Sequence, residues 1–223
     1  GSLTSVNLEN NALGPKGAAA LAEGLKGSST LQSLNLVYNQ LCGLDYEGNG
    51  TYTAEGISKL CEGLKGSAVT SLSLRSNVLG PKGAAALAEG LKGNSTLQSL
   101  DLQYNKLGPE GGAAIAEVLK GNSTLQSLNL ASNKLASETG YINKSEVQGS
   151  SFEVGAKVTY EGRNMTVSQA PDSDGDMKMI DLSGVLALAV SLPECGLTSL
   201  DIRDNAIGAE GAAALAAILK ETR

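Results

Sequence analysis

The feature that most limits how this chain can fold is a segment that returns six times. The pattern LxxLxLxxNxL fits LTSVNLENNAL from Leu3, LQSLNLVYNQL from Leu31, VTSLSLRSNVL from Val69, LQSLDLQYNKL from Leu97, LQSLNLASNKL from Leu125 and LTSLDIRDNAI from Leu197. Successive first residues lie 28, 38, 28, 28 and 72 apart, so the underlying period is 28 and it is interrupted twice. A fixed period of this size is the sequence signature of a stack of supersecondary units.

Each unit carries two periodicities. In LQSLNL, Leu34 and Leu36 alternate with Ser33 and Asn35, the period of a short strand with one buried face. In GPKGAAALAEGLKG, Ala18, Leu21, Ala22 and Leu25 fall on one face of a helix, with Pro15 suited to its start and Gly27 to its C-terminal cap. One strand and one helix cannot bury each other's apolar faces alone, so the units must stack into a solenoid. Asn11, Asn39, Asn77, Asn105, Asn133 and Asn205 recur just after the strand, where a side-chain amide can satisfy the backbone of adjacent turns in a ladder.

The composite LxxLxLxxNxLGPxGAxALAEGLKGNST resembles the ribonuclease-inhibitor-like class of leucine-rich repeats and is similar to the repeats of NOD-like receptors and of unicellular-eukaryote repeat proteins. The resemblance implies an α/β horseshoe, with parallel strands on the concave face and helices on the convex face. It also implies a protein-binding scaffold. Ran GTPase-activating proteins and ribonuclease inhibitor use the same class of repeat, which gives the alternative of a regulator of another enzyme, by analogy of fold.

The interruptions divide the chain into repeats one to five over 1–135, with a rim loop at about 42–52, a β-rich insertion within repeat five over 136–181, and the end of that repeat with repeat six over 182–223. The second insertion restores a helical face in LSGVLALAVSL. Within it, KVTYEGRNMTVS reads as a β-hairpin turning at Glu161-Gly162, and MKMIDL as a third strand, a small meander vaguely like SH3-like or Tudor-like barrels. Asp172, Asp174 and Asp176 invite a calcium reading, but Gly175 precedes the third acid and no glutamate follows at the required spacing, so a solvated turn is expected and no metal.

Residues between the buried strand leucines point to the concave surface and form columns across the repeats. Ser5, Ser33, Ser71, Ser99, Ser127 and Ser199 are identical, which fits relief of crowding. Otherwise near-copied repeats diverge at Glu9, Val37, Arg75, Gln103, Ala131 and Arg203, and at Asn10, Tyr38, Ser76, Tyr104, Ser132 and Asp204. Tyr and Arg join large contact area to hydrogen-bonding capacity. The candidate partner contacts are therefore Val37, Tyr38, Arg75, Gln103, Tyr104 and Arg203, joined on the insertions by Tyr46, Tyr52, Tyr160 and Arg163.

Composition narrows the chemistry. The 223 residues include no histidine, which removes every Ser-His, Cys-His and His-metal constellation. No phosphate-cradling glycine motif is present, the three cysteines lack CxxC spacing, and neither an enzyme nor a cofactor is expected. A net charge of −6 argues against nucleic-acid and anionic-membrane partners. The unpaired cysteine count points to a reducing, cytoplasmic setting. Gly1-Ser2 reads as a cloning remnant and five glycosylation sequons occur, so an extracellular setting stays open. Opening directly on a strand, without a polar cap, the chain reads either as a piece of a longer protein or as one that self-associates through its terminal edge.

Overall fold

The computed structural model describes residues 2–219. The solenoid begins with β1 (Ser5–Asn7), α1 (Gly14–Leu25), β2 (Ser33–Asn35), α2 (Glu55–Leu64), β3 (Ser71–Ser73), α3 (Gly80–Leu91), β4 (Ser99–Asp101), α4 (Gly108–Leu119) and β5 (Ser127–Asn129). The inserted segment supplies β6 (Ser137–Glu138), β7 (Ile142–Asn143), β8 (Lys157–Tyr160), β9 (Arg163–Gln169) and β10 (Asp176–Asp181). The solenoid resumes with α5 (Ser183–Ser191), β11 (Ser199–Asp201) and α6 (Gly208–Leu219).

Six strands of three residues form one parallel sheet in the order β1-β2-β3-β4-β5-β11, with Ser paired to Ser across every step and Leu to Leu across all but the first, where Val6 meets Leu34. The in-register pairing of β5 with β11 means that the second insertion leaves the stack unbroken. Short strands cannot hold a register by themselves; the leucines do it, since a one-residue slip would expose them all. Leu36, Leu74, Leu102 and Leu130 are fully buried, and Leu60, Leu87 and Leu119 meet them from the helices. Each such burial contributes about 1.5–3 kcal/mol.

The asparagine ladder forms as expected. Asn39, Asn77, Asn105 and Asn133 are fully buried. Each Oδ1 accepts the backbone N–H of the preceding repeat's asparagine, as Asn105 does from Asn77 at 2.9 Å, while Nδ2 donates to strand carbonyls such as those of Leu74 and Leu102. The last rung spans the second insertion, Asn133 N donating to Asn205 Oδ1 at 2.9 Å.

The insertion is a five-stranded antiparallel sheet, β6-β10-β9-β8 with β7 also on β10. The expected hairpin is β8–β9, paired from Lys157↔Thr166 to Tyr160↔Arg163, and the expected third strand is β10. Two further strands, β6 and β7, are only two residues long and carry no alternation that would announce them. The insertion has its own core of Val147, Val158, Met165, Val167, Met177 and Met179 with Phe152 against it, which contains all three methionines and the one phenylalanine of the chain. β10 serves both cores: Met177 and Met179 face the insertion, whereas Ile180 joins the solenoid core after a register shift at Lys178/Met179. Among the described residues, no helix is long and apolar enough to cross a membrane.

Candidate interaction face

The turn that follows each strand determines where the variable side chains stand. Both neighbours of every ladder asparagine have a positive φ: Tyr38 (54°) and Gln40 (56°), Ser76 and Val78, Tyr104 (57°) and Lys106 (55°), Ser132 and Lys134 (56°). A non-glycine residue in the left-handed region costs roughly 1–2 kcal/mol, and such conformations persist only where their surroundings enforce them. Here the buried asparagine between them does so. Tyr38, Tyr104, Lys106 and Lys134 thus project from kinks that glycine or asparagine would occupy more cheaply.

Both insertions leave from the same point of the repeat. In repeats one, three, four and six a glycine with φ near +60° opens the helix: Gly14, Gly80, Gly108 and Gly208. In repeats two and five this position is Cys42 and Ala136, and the chain departs there. Each departure is closed at its neck by backbone pairing. Thr53 N donates to Cys42 O at 2.9 Å, with a Leu44↔Gly50 bridge beyond, and Asp181 pairs with Ser137 at the base of the larger insertion. The two insertions consequently rise on one rim, flanking repeats three and four.

Between them lies a cleft of about 450 Å³, bounded by Tyr46 of the first insertion, Ser137 at the start of the second, and Tyr104, Lys106, Ser132, Lys134 and Asp204 of the turns. Lys106 ties the first insertion down: its Nζ donates to Tyr46 O at 2.9 Å and lies 5.0 Å from the Tyr46 ring centroid. Arg75 stacks over Tyr104 at 5.5 Å, a cation–π contact, and its Nε is shielded from solvent without a hydrogen-bond partner.

Of the residues singled out from sequence, Tyr38, Tyr46 and Tyr104 are exposed, at 47%, 54% and 37%. Gln103 is half-buried, its N–H donating to Asp101 Oδ1. Arg203 is exposed but engaged by its own strand, with Nη2 2.7 Å from Asp201 Oδ2; these hydrogen bonds hold the Asp201 carboxyl below its ordinary range.

The expectation of surface contact is corrected for Val37 and Tyr52, and two further candidates are engaged within the chain. Val37 is only 8% exposed, held in the turn where its N–H donates to Asn35 Oδ1 and its carbonyl accepts from Asn10 N and Asn39 Nδ2. Tyr52 points into the solenoid, where its hydroxyl donates to Leu79 O at 2.7 Å beside Cys42; burial raises the pKa of both groups, the Cys42 thiol to about 11. Tyr160 packs half-buried against the insertion core. Arg163 is exposed but used within the chain, 3.1 Å from Glu110 of α4 and 4.0 Å from the buried Asp181, so it straps the insertion to the solenoid.

Asp172 Oδ1 accepts the N–H groups of Asp174 and Asp176, and Asn143 Nδ2 donates to Asp176, so the acidic run closes its own turn. Among the described residues no group of three or more potential ligands is placed to hold a metal ion. Sequence reasoning missed Lys106 and Lys134. The column after the ladder asparagine, Ala12, Gln40, Val78, Lys106, Lys134 and Ala206, is as variable as those chosen and would have revealed them.

The architecture defines an α/β solenoid of strand-helix units with two rim insertions. Five of its segments, 2–22, 68–88, 93–116, 121–138 and 196–216, match the family model described as Leucine Rich repeat. The matched segments are leucine-rich repeats, and they stack in the α/β solenoid described above. The second repeat, which carries the first insertion, falls outside the matched segments although β2 and α2 occupy their places in the stack. No curated protein matches the chain.

Proposed function

We propose that this chain is a protein-interaction scaffold of the ribonuclease-inhibitor-like class, which receives a protein partner on the concave strand face and in the rim cleft between its insertions. The observation that carries the reading is the common exit point of the insertions: two unrelated segments rise from one rim to enclose exposed tyrosines and lysines that the repeat does not require. A stacked scaffold is rigid, so these side chains are presented with little ordering cost on binding. Leucine-rich repeats generally bind proteins, which agrees with this use. A reducing, cytoplasmic setting is supported by free thiols at Cys42 and Cys61, both buried in the solenoid core.

The test is a random peptide library displayed on phage and selected on the folded protein. Selected peptides should lose at least about tenfold in affinity for the Tyr38→Ala/Tyr104→Ala variant, and none for Lys16→Ala on the convex helix α1. Equal binding to the tyrosine variant would move the site away from this face.

A further inference from the structure

We infer that the rim cleft recognises an acidic, carboxylate-bearing segment of its protein partner. This rests on the scaffold reading above and specifies the partner's chemistry. The cleft carries unmatched positive charge. The whole chain is acidic, yet the face between the insertions gathers Arg75, Lys106 and Lys134. Six acids around them already have donors, three of them cationic. Asp45 of the first insertion accepts both the N–H and Nδ2 of Asn49, and these bonds lower its carboxyl pKa. Asp101 accepts the Ser73 hydroxyl and the Gln103 N–H, Asp201 is held by Arg203, and Asp204 accepts the Ser132 hydroxyl at 3.3 Å. Glu110 and Glu138 pair with Arg163 and Lys178.

The cations are not matched in return. Lys106 is met by a carbonyl and a ring, Arg75 by a ring alone, and exposed Lys134 by no acceptor among the described residues. An incoming carboxylate could take charge-assisted hydrogen bonds from Lys134, with Tyr46 and Tyr104 as flanking contact surface. The volume of about 450 Å³ fits a few side chains of an extended segment. Asp204 inside the cleft and the net charge of −6 disfavour a long polyphosphate backbone.

The experiment is fluorescence anisotropy of the whole chain with labelled hexaglutamate, hexaserine, hexalysine and a thymidine decanucleotide. Hexaglutamate should bind most tightly and weaken as salt rises from about 50 to 200 mM. Lys134→Glu should weaken that binding at least about fivefold, while Lys82→Glu on the convex helix α3 leaves it unchanged. Lys134 makes no contact the fold depends on, so the variant should keep the wild-type melting temperature. No hexaglutamate binding, equal loss in both variants, or tighter binding of hexalysine or the decanucleotide would overturn the inference. Library peptides that need Tyr38 and Tyr104 but carry no acids would overturn it too, while leaving the scaffold reading in place.

Discussion

Replacing Asn105 by alanine removes one rung of the ladder and tests what the buried amides add to the stack. Asn105 Oδ1 is the acceptor for Asn77 N at 2.9 Å and Leu79 N at 3.4 Å. Its Nδ2 donates to Leu74 O and Leu102 O, but those carbonyls keep second donors in Asn77 and Asn133. The loss therefore falls on the two N–H groups, in a fully buried site. At about 1–3 kcal/mol for each orphaned donor, with the long Leu79 bond at the low end, the cost is about 3 kcal/mol. Asn11→Ala provides the internal control: Asn11 is exposed, and its side chain donates to Leu8 O and Glu9 O and accepts nothing among the described residues. Its loss should cost about 0.5–1 kcal/mol. Urea unfolding followed by circular dichroism measures both, with hydrogen exchange at the Asn77 and Leu79 amides as the local readout. Equal destabilisation by the two substitutions would refute the claim that the buried amides add stability to the stack beyond what the leucine packing supplies.

Gly63→Ala should destabilise by more than about 2 kcal/mol, because its Cβ would lie 2.6 Å from Ala22 Cα on the neighbouring helix, whereas Gly24→Ala in α1 meets nothing within 4 Å and should stabilise by about 0.5–1 kcal/mol; thermal melts of both check the pair. Tyr52→Phe should cost about 1 kcal/mol by removing the hydroxyl's bond to Leu79 O, which keeps only the Gly83 N–H, measured in the same urea titration. Burial raises Cys42 to about 11 and Cys61 to about 12, so at pH 8 their thiolate fractions are about one in a thousand or less, and half-exposed Cys195 should be the one thiol that reacts rapidly with a disulfide reagent. The depressed Asp201 carboxyl contributes stability above the ordinary carboxylate range that is lost as pH falls through its lowered value, so Asp201→Asn should flatten the acid limb of a pH–stability curve without changing the plateau slope.

The solenoid was legible because one energetic solution is repeated: the same aliphatic positions and the same ladder asparagine return in every unit, and the same helix opening in four of the six, so each copy corroborates the others. The exit points of the insertions were legible too, as Cys42 and Ala136 stand where the other repeats have glycine. The internal structure of the second insertion was only partly so. The pairing of β8 with β9 lies within a dozen residues and shows alternation, whereas β6 and β7 exist because β10 offers them an edge from about forty residues away. The candidate contacts divided for a similar reason. Tyr38 and Tyr104 stand on the kinked turn whatever surrounds them, but the inward turn of Tyr52 depends on the carbonyl of Leu79 in the next repeat, and Arg163 on Glu110 across two elements. Column positions report which face a residue occupies; they do not report the partner it finds there.

Hydrogen-exchange mass spectrometry of the chain, free and saturated with a library-selected peptide, tests the scaffold account most directly. Protection should appear in the turns after β2 to β5 and in residues 43–50 of the first insertion, with the convex helices α1, α3 and α4 unchanged. Protection confined to those helices, with the turns exchanging as in the free protein, would contradict it.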